Sequence, residues 1–116
     1  MEIPIELLER IRLAFQRGNY NITNHAYARM QQRDITPHEI RSLVLEGQAI
    51  EAREETDVTQ KSMVVLFSGR TKLARALHVV VAEVERNKQP HLVVTVYEPG
   101  LDQWDSGFTM RQGGKA

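Results

Sequence analysis

The chain has 116 residues, with 15 Lys and Arg against 15 Asp and Glu, four His and no Cys. That length supports one compact domain, and 41% apolar with 26% charged residues is the balance of a folded globular protein, not a disordered one. The lack of cysteine excludes a disulfide scaffold, thiol catalysis and Cys-based zinc or iron–sulfur sites, and a formal net charge of zero excludes nucleic-acid binding by bulk electrostatics. Apolar runs such as Val64–Phe67 and Val79–Ala82 fall far short of the roughly 20 residues that a membrane span requires. Met1–Glu6 is acidic and amphipathic and lacks the basic-then-apolar order of a signal peptide, so a cytoplasmic protein is expected. Charge is uneven: residues 1–60 carry a net −3 and residues 61–116 a net +3.

The first helix is predicted from Pro4 to about Arg17, with Pro4 at the first helical position and Gly18 after the last turn. Leu7, Leu8, Ile11, Ala14 and Phe15 make its apolar face. A link over Asn19–Thr23 leads to Asn24, read as the cap of a second helix over His25–Gln32. Thr36-Pro37-His38-Glu39 is a capping box opening a third helix, which turns Ile40, Leu43 and Val44 inward and stops at Gly47. The apolar period then changes from 3.6 to 2. Ala49–Glu55 reads as a polar edge strand, and Ser62–Ser68, Ala76–Val84 and His91–Tyr97 as β-branched strands. The expected fold is one α+β domain with two to three N-terminal helices on one face of a four-stranded antiparallel sheet, and a frayed tail over residues 112–116.

Register narrows the search for a site. Leu77, Val79 and Val81 share one strand face, and Leu92, Val94 and Val96 share one face of the next, so both sets are expected to face the helices. With a turn near Asn87-Lys88, His78 then lies opposite Tyr97 on the other face, beside Val80, Ala82, Val93 and Thr95. A His–Tyr pair there is more polar than a second sheet face requires.

His25, Arg29 and Arg33 stand at successive helical turns, either as a solvated face or as a titratable group with two cations for a phosphate. His78 is either a satisfied strand histidine or an acid–base group, and Tyr97 either packing or part of a site. Trp104 reads as closing one end of the core, His38 and His91 as surface residues, and Glu54, Glu55 and Asp57 as solubilising charge. No His and carboxylate set has metal-ligand spacing, Ser68-Gly69-Arg70 is no phosphate loop, and no nucleophile elbow is present. What remains is chemistry from His, Arg and Tyr, with no metal or cofactor.

His25-Ala26-Tyr27-Ala28-Arg29-Met30, Arg33, Ile35 and Glu39-Ile40 resemble the HAxxRMxxRxI…EI opening of a bacterial family known only as a domain of unknown function. Gly47 with Ile50-Glu51 continues the pattern. Arg75–Ala82 resembles its GRPLHVVVA strand, and Thr95–Pro99, Trp104 and Arg111 its TVYxP…W…R close. The likeness covers about residues 20–111 and leaves residues 1–19 largely outside. The family's Gly-Arg-Pro is Ala74-Arg75-Ala76 here, with Gly69-Arg70 just upstream, so its arginine is either Arg75 or Arg70.

The resemblance implies kinship with RelE- and BrnT-like toxins, hence a RelE-like fold, metal-independent cleavage of RNA and an antitoxin-like protein partner. It implies functional positions at His25, Arg29, Arg75, His78, Tyr97 and Arg111. In that reading His25 and His78 share the acid and base parts, and Arg29 supports the phosphorane with Arg75 or Arg111. Tyr97 stacks a base or donates to phosphate. Arg33, Arg70, Arg75 and Arg111 bind substrate. The rival reading is a non-catalytic RelE-like module that binds a protein partner or RNA, which the neutral charge favours.

Overall fold

Leu7, Ile11, Ala14 and Phe15 recur at helical spacing and are buried along one side of α1 (Ile5–Arg17). The computed structural model describes residues 2–56, 61–84 and 90–111. Pro4 takes the N-cap position of α1, one residue earlier than expected, and Gly18 ends the helix with a φ of 75° that a glycine adopts freely. The next helix, α2 (Asn24–Arg33), is capped by Thr23 and not by Asn24, because the Thr23 hydroxyl accepts from the Ala26 amide at 3.1 Å. The capping box forms as the sequence predicts at the start of α3 (Pro37–Glu46), with Thr36 and Glu39 each accepting the other's amide.

Two arginines lock α1 to α3. Arg12 donates to the Val44 and Gly47 carbonyls at the end of α3, and Arg41 donates to the Phe15 and Gln16 carbonyls at the end of α1. Each donates to carbonyls at a helix C-terminus and places a cation at the negative end of that helix's dipole. Gly47 stops α3 by a different route from Gly18. Its φ is an ordinary −80°, but a Cβ there would lie 2.5 Å from the Leu43 carbonyl oxygen and 2.7 Å from that of Ser68. Glycine is what allows the helix end to touch the sheet.

The sheet has five strands, not the four expected: β1 (Tyr20–Ile22), β2 (Gln48–Thr56), β3 (Lys61–Arg70), β4 (Ala76–Val84) and β5 (His91–Tyr97), in the order β1-β5-β4-β3-β2. Nor is it wholly antiparallel, since β1 runs parallel to β5. Three residues are too few to show alternation, and β1 is strand only because the chain leaving α1 meets the free edge of β5. Beyond β1 that edge is covered by α2, Thr23 donating through its amide to the Val93 carbonyl and through its hydroxyl to that of Val94. The turn near Asn87-Lys88, Asp57 and the 112–116 tail lie outside the described residues. Among the described residues no helix is long and apolar enough to cross a membrane.

All three helices bury their apolar sides on one sheet face, against Ala52, Val65, Phe67, Leu77, Val79 and Val81. The expected set from β5 is only partly right. A bulge leaves Val94 unpaired, with Val80 opposite Thr95 and Val81 opposite Val93. The strand therefore turns over midway, so that Val93 and Val96 join the helical core while Leu92 and Val94 pack with Val64, Ala82 and Val84 on the other face.

Candidate functional site

The face away from the helices has two parts. One end is covered by the segment after β5, a strap over Gly100–Arg111 closed by a bridge between Trp104 and Arg111 and by the Asp105 amide on the Met110 carbonyl. Among the described residues the other end carries a groove with Val64, Val80, Ala82, Leu92 and Val94 as an apolar floor.

His78 lies under the strap. The register pairs it with Tyr97, as the sequence predicts, and its Nδ1 is 3.2 Å from the Tyr97 hydroxyl. Its Nε2 lies 2.8 Å from the Phe108 carbonyl, which also accepts from the Ser68 hydroxyl. A carbonyl only accepts, so Nε2 carries the proton and Nδ1 accepts from Tyr97. Trp104 meets the ring edge-on, centroids 4.5 Å apart. No ring nitrogen of His78 is left for a ligand, and the side chain is 0% exposed. Burial holds its imidazole below the ordinary value and pushes the Tyr97 phenol up, so both are neutral near pH 7. Trp104 thus does not close the core, as expected from sequence. It seals the opposite face over His78.

Arg111 fastens the strap. It grips Glu51 through two hydrogen bonds of 2.7 and 2.9 Å and lies 4.5 Å from the centre of the Trp104 ring. The Arg111 hydrogen bond holds the Glu51 carboxyl below its usual range. Phe108, whose carbonyl is the shared acceptor, has a φ of 59°, a conformation rare for a bulky residue, and its ring lies under Arg70.

The groove has a volume of about 550 Å3, and its lining includes Thr23, Arg53, Thr95, Tyr97 and Arg111. His25 approaches Thr95 from α2, its Nε2 being 3.2 Å from the Thr95 hydroxyl. Further along, Arg33 binds Glu98 at 3.1 Å. The roughly 12 Å that a helix rises between residues 25 and 33 matches the roughly 10 Å a strand covers between 95 and 98, so α2 runs alongside β5. Arg29 is one turn beyond His25 on α2. It is exposed and donates to Gln32 at 3.3 Å.

The residues singled out from sequence thus fall into four places. His78, Tyr97 and Arg111 meet at the strap. His25 reaches Thr95 and Arg29 bonds Gln32, both on the exposed side of α2, and neither touches His78. Arg33 and Arg75 converge on Glu98, Arg75 at 2.8 Å and also on the Arg33 carbonyl, and this pairing holds the Glu98 carboxyl below its usual range. Arg70 stands apart at the end of β3, donating to the Ala74 carbonyl. Of the two candidates for the motif arginine, Arg75 is the one joined to β5.

His38 is exposed as expected, but His91 is not a surface residue: its Nε2 donates to Glu83 at 3.0 Å, and Glu83 is also gripped by Arg10. Sequence reasoning also gave no part to Arg53 or Thr95. The visible signal was period 2, which puts Glu51, Arg53 and Glu55 on one face of β2 and Thr95 beside Tyr97 on β5. Among the described residues no three His, Asp or Glu side chains are grouped to hold a metal ion.

The family model described as "Domain of unknown function (DUF4258)" matches residues 22–98, which run from the end of β1 to the carboxylate after β5. The chain belongs to this family. The match takes in His25, Arg29, Arg75, His78 and Tyr97, whereas α1 and the Trp104–Arg111 strap of this DUF4258 protein lie outside it. No curated protein and no solved structure matches the chain.

Proposed function

We propose that this DUF4258 protein is a RelE-like, metal-independent endoribonuclease of the cytoplasm that takes single-stranded RNA into the groove on the open sheet face. The observation that carries the reading is a concavity of about 550 Å3 lined by Arg53, Tyr97, Arg111 and Thr95, with the exposed His25 imidazole 3.2 Å from the Thr95 hydroxyl. That volume is ample for a nucleotide. Helices on one face of a mostly antiparallel sheet, with the other face left for a ligand, support reading the fold as RelE-like.

In this mechanism a ribose 2′-oxygen attacks the adjacent phosphorus while His25 takes its proton. The P–O5′ bond breaks, the leaving oxygen takes a proton from water while His25 returns its proton to solvent, and the products are a 2′,3′-cyclic phosphate and a 5′-hydroxyl. Arg29 and Arg111 stabilise the charge that develops on the phosphorane, and Tyr97 stacks a base. His78 serves as a positioning residue, since it fixes the Tyr97 hydroxyl and the strap but has no free nitrogen.

The test is purified chain, freed of any partner, incubated with single-stranded RNA and a chelator. Cyclic-phosphate ends are expected, and His25→Ala is expected to reduce cleavage about 100-fold or more with the melting temperature unchanged. Cleavage that survives His25→Ala, or none by the wild type, refutes the enzyme. The apolar floor supports a second reading, a RelE-like module that docks a protein such as an antitoxin and cleaves nothing. Saturable binding of a partner without RNA cleavage decides for it.

A further inference from the structure

A second groove lies away from the open face, between the exposed side of α3 and the loop joining β3 to β4. Its volume is about 710 Å3. One wall is acidic, with Asp34, Glu39 and Glu46; the other is basic, with Arg70 and Lys72. Between them stands Leu73, 86% exposed and the most exposed large apolar side chain among the described residues.

The loop that carries Leu73 is rigid. The Thr71 hydroxyl accepts from the amides of Leu73 and Arg75, the Thr71 amide donates to the Arg75 carbonyl, and the Ala74 amide returns to Thr71. Arg75 is anchored on Glu98, and Ala74 sits at a φ of 65°. A hairpin tip fixed this tightly and holding a leucine in water has its ordering cost already met before any partner arrives.

We infer that this groove is where two copies of the chain pair about a two-fold axis. A two-fold contact sets a patch against itself, so a patch that is acidic on one side and basic on the other meets opposite charge everywhere when the axis passes between the sides. The groove has that layout. The side chains of Asp34, Glu46 and Lys72 form none of the ion pairs among the described residues, although Glu39 is engaged in the α3 cap. In the pair, Leu73 of each copy enters the other's groove, and Lys72 meets the partner's Glu46. A net charge of zero leaves no long-range repulsion between copies. This contact is independent of the RNA reading, because its walls belong to α3 and the β3–β4 loop and to none of the open-face rim.

Sedimentation velocity of the full chain, from micromolar to millimolar, tests it. A concentration-dependent dimer is expected, and Leu73→Asp is expected to leave a monomer. Lys72→Glu and Glu46→Lys are each expected to weaken the dimer about five- to tenfold, since symmetry makes each change remove two exposed pairs. The double variant is expected to restore it. Asp34 is left unchanged because it caps α2 at a φ of 58°. A chain monomeric at every concentration overturns the inference and leaves the groove to a different protein. So does a dimer indifferent to all three changes, or single charge reversals whose effects add in the double variant. RNA cleavage, present or absent, leaves these outcomes untouched.

Discussion

His78→Ala separates a histidine that does chemistry from one that holds a structure. The side chain is fully buried, between Tyr97 and Phe108 through its nitrogens and against Trp104 through its edge. Truncation removes two hydrogen bonds, but the Phe108 carbonyl keeps the Ser68 hydroxyl and the half-buried Tyr97 hydroxyl can find water. The bonds therefore contribute about 1 kcal/mol together, and the space left beside Trp104 about 2 kcal/mol more. For 116 residues the unfolding entropy is about 0.24 kcal/mol/K, so a loss of about 3 kcal/mol lowers the melting temperature by about 12 °C. His25→Ala, by contrast, removes one exposed 3.2 Å contact and is expected to shift it by about 2 °C or less.

Trp104 is the only tryptophan, so its emission reports the strap directly. Circular-dichroism melts with tryptophan fluorescence and acrylamide quenching are the assay. The His78→Ala emission is expected to move red and to quench more readily. A melting temperature within about 4 °C of wild type, with unchanged emission, would refute the structural role.

Acid should weaken the fold in two stages. Burial holds His78 below its ordinary 6.5, so below that pH the unfolded chain takes up a proton that the fold refuses, and stability declines; Glu51, Glu83 and Glu98, held below 4.5, add a second decline as they are protonated. Urea melts from about pH 8 to about pH 4 measure both, and His78→Phe is expected to abolish the first alone. Gly47→Ala is expected to cost about 2 kcal/mol or more, because the new Cβ meets two backbone oxygens that cannot swing aside; denaturation near wild-type midpoint would show that α3 tolerates a wider gap. Glu51→Gln should leave stability within about 1 kcal/mol, the pair being largely exposed, while freeing Arg111 to bind RNA about two- to fivefold tighter in an anisotropy titration. Unchanged or weaker binding removes Arg111 from the RNA site.

What the sequence made legible was local or periodic. The α3 capping box needs only Thr36 and Glu39, and the His78–Tyr97 pairing follows from period 2 on either side of one turn. The bulge at Val94 was not legible, because both faces of that strand are aliphatic and either set suits a core. What distinguishes them is Thr23, seventy residues upstream, holding the edge at Val93 and Val94. The strap shows no periodicity at all, and its contacts are irregular: a carbonyl, a ring edge and one ion pair. The candidate site changed most for that reason. His78 looks like a free imidazole until Phe108, thirty residues later, is seen to occupy it.

The neutral net charge also acquires a physical meaning. Several of the chain's charges are already paired: Arg33 and Arg75 share Glu98, Arg53 pairs with Glu55, Arg10 with Glu83 and Arg111 with Glu51. A phosphate entering the open-face groove therefore meets arginines that already have carboxylates. On the proposed RNA reading it would have to displace Glu51 and Glu55, so each new ion pair would replace an old one and the net gain would be small. Arg29 differs, since its bonded partner is the uncharged Gln32 amide, and no carboxylate has to leave. On the proposed RNA reading, this exposed arginine one turn from His25 is the cation that a phosphate would engage at least cost.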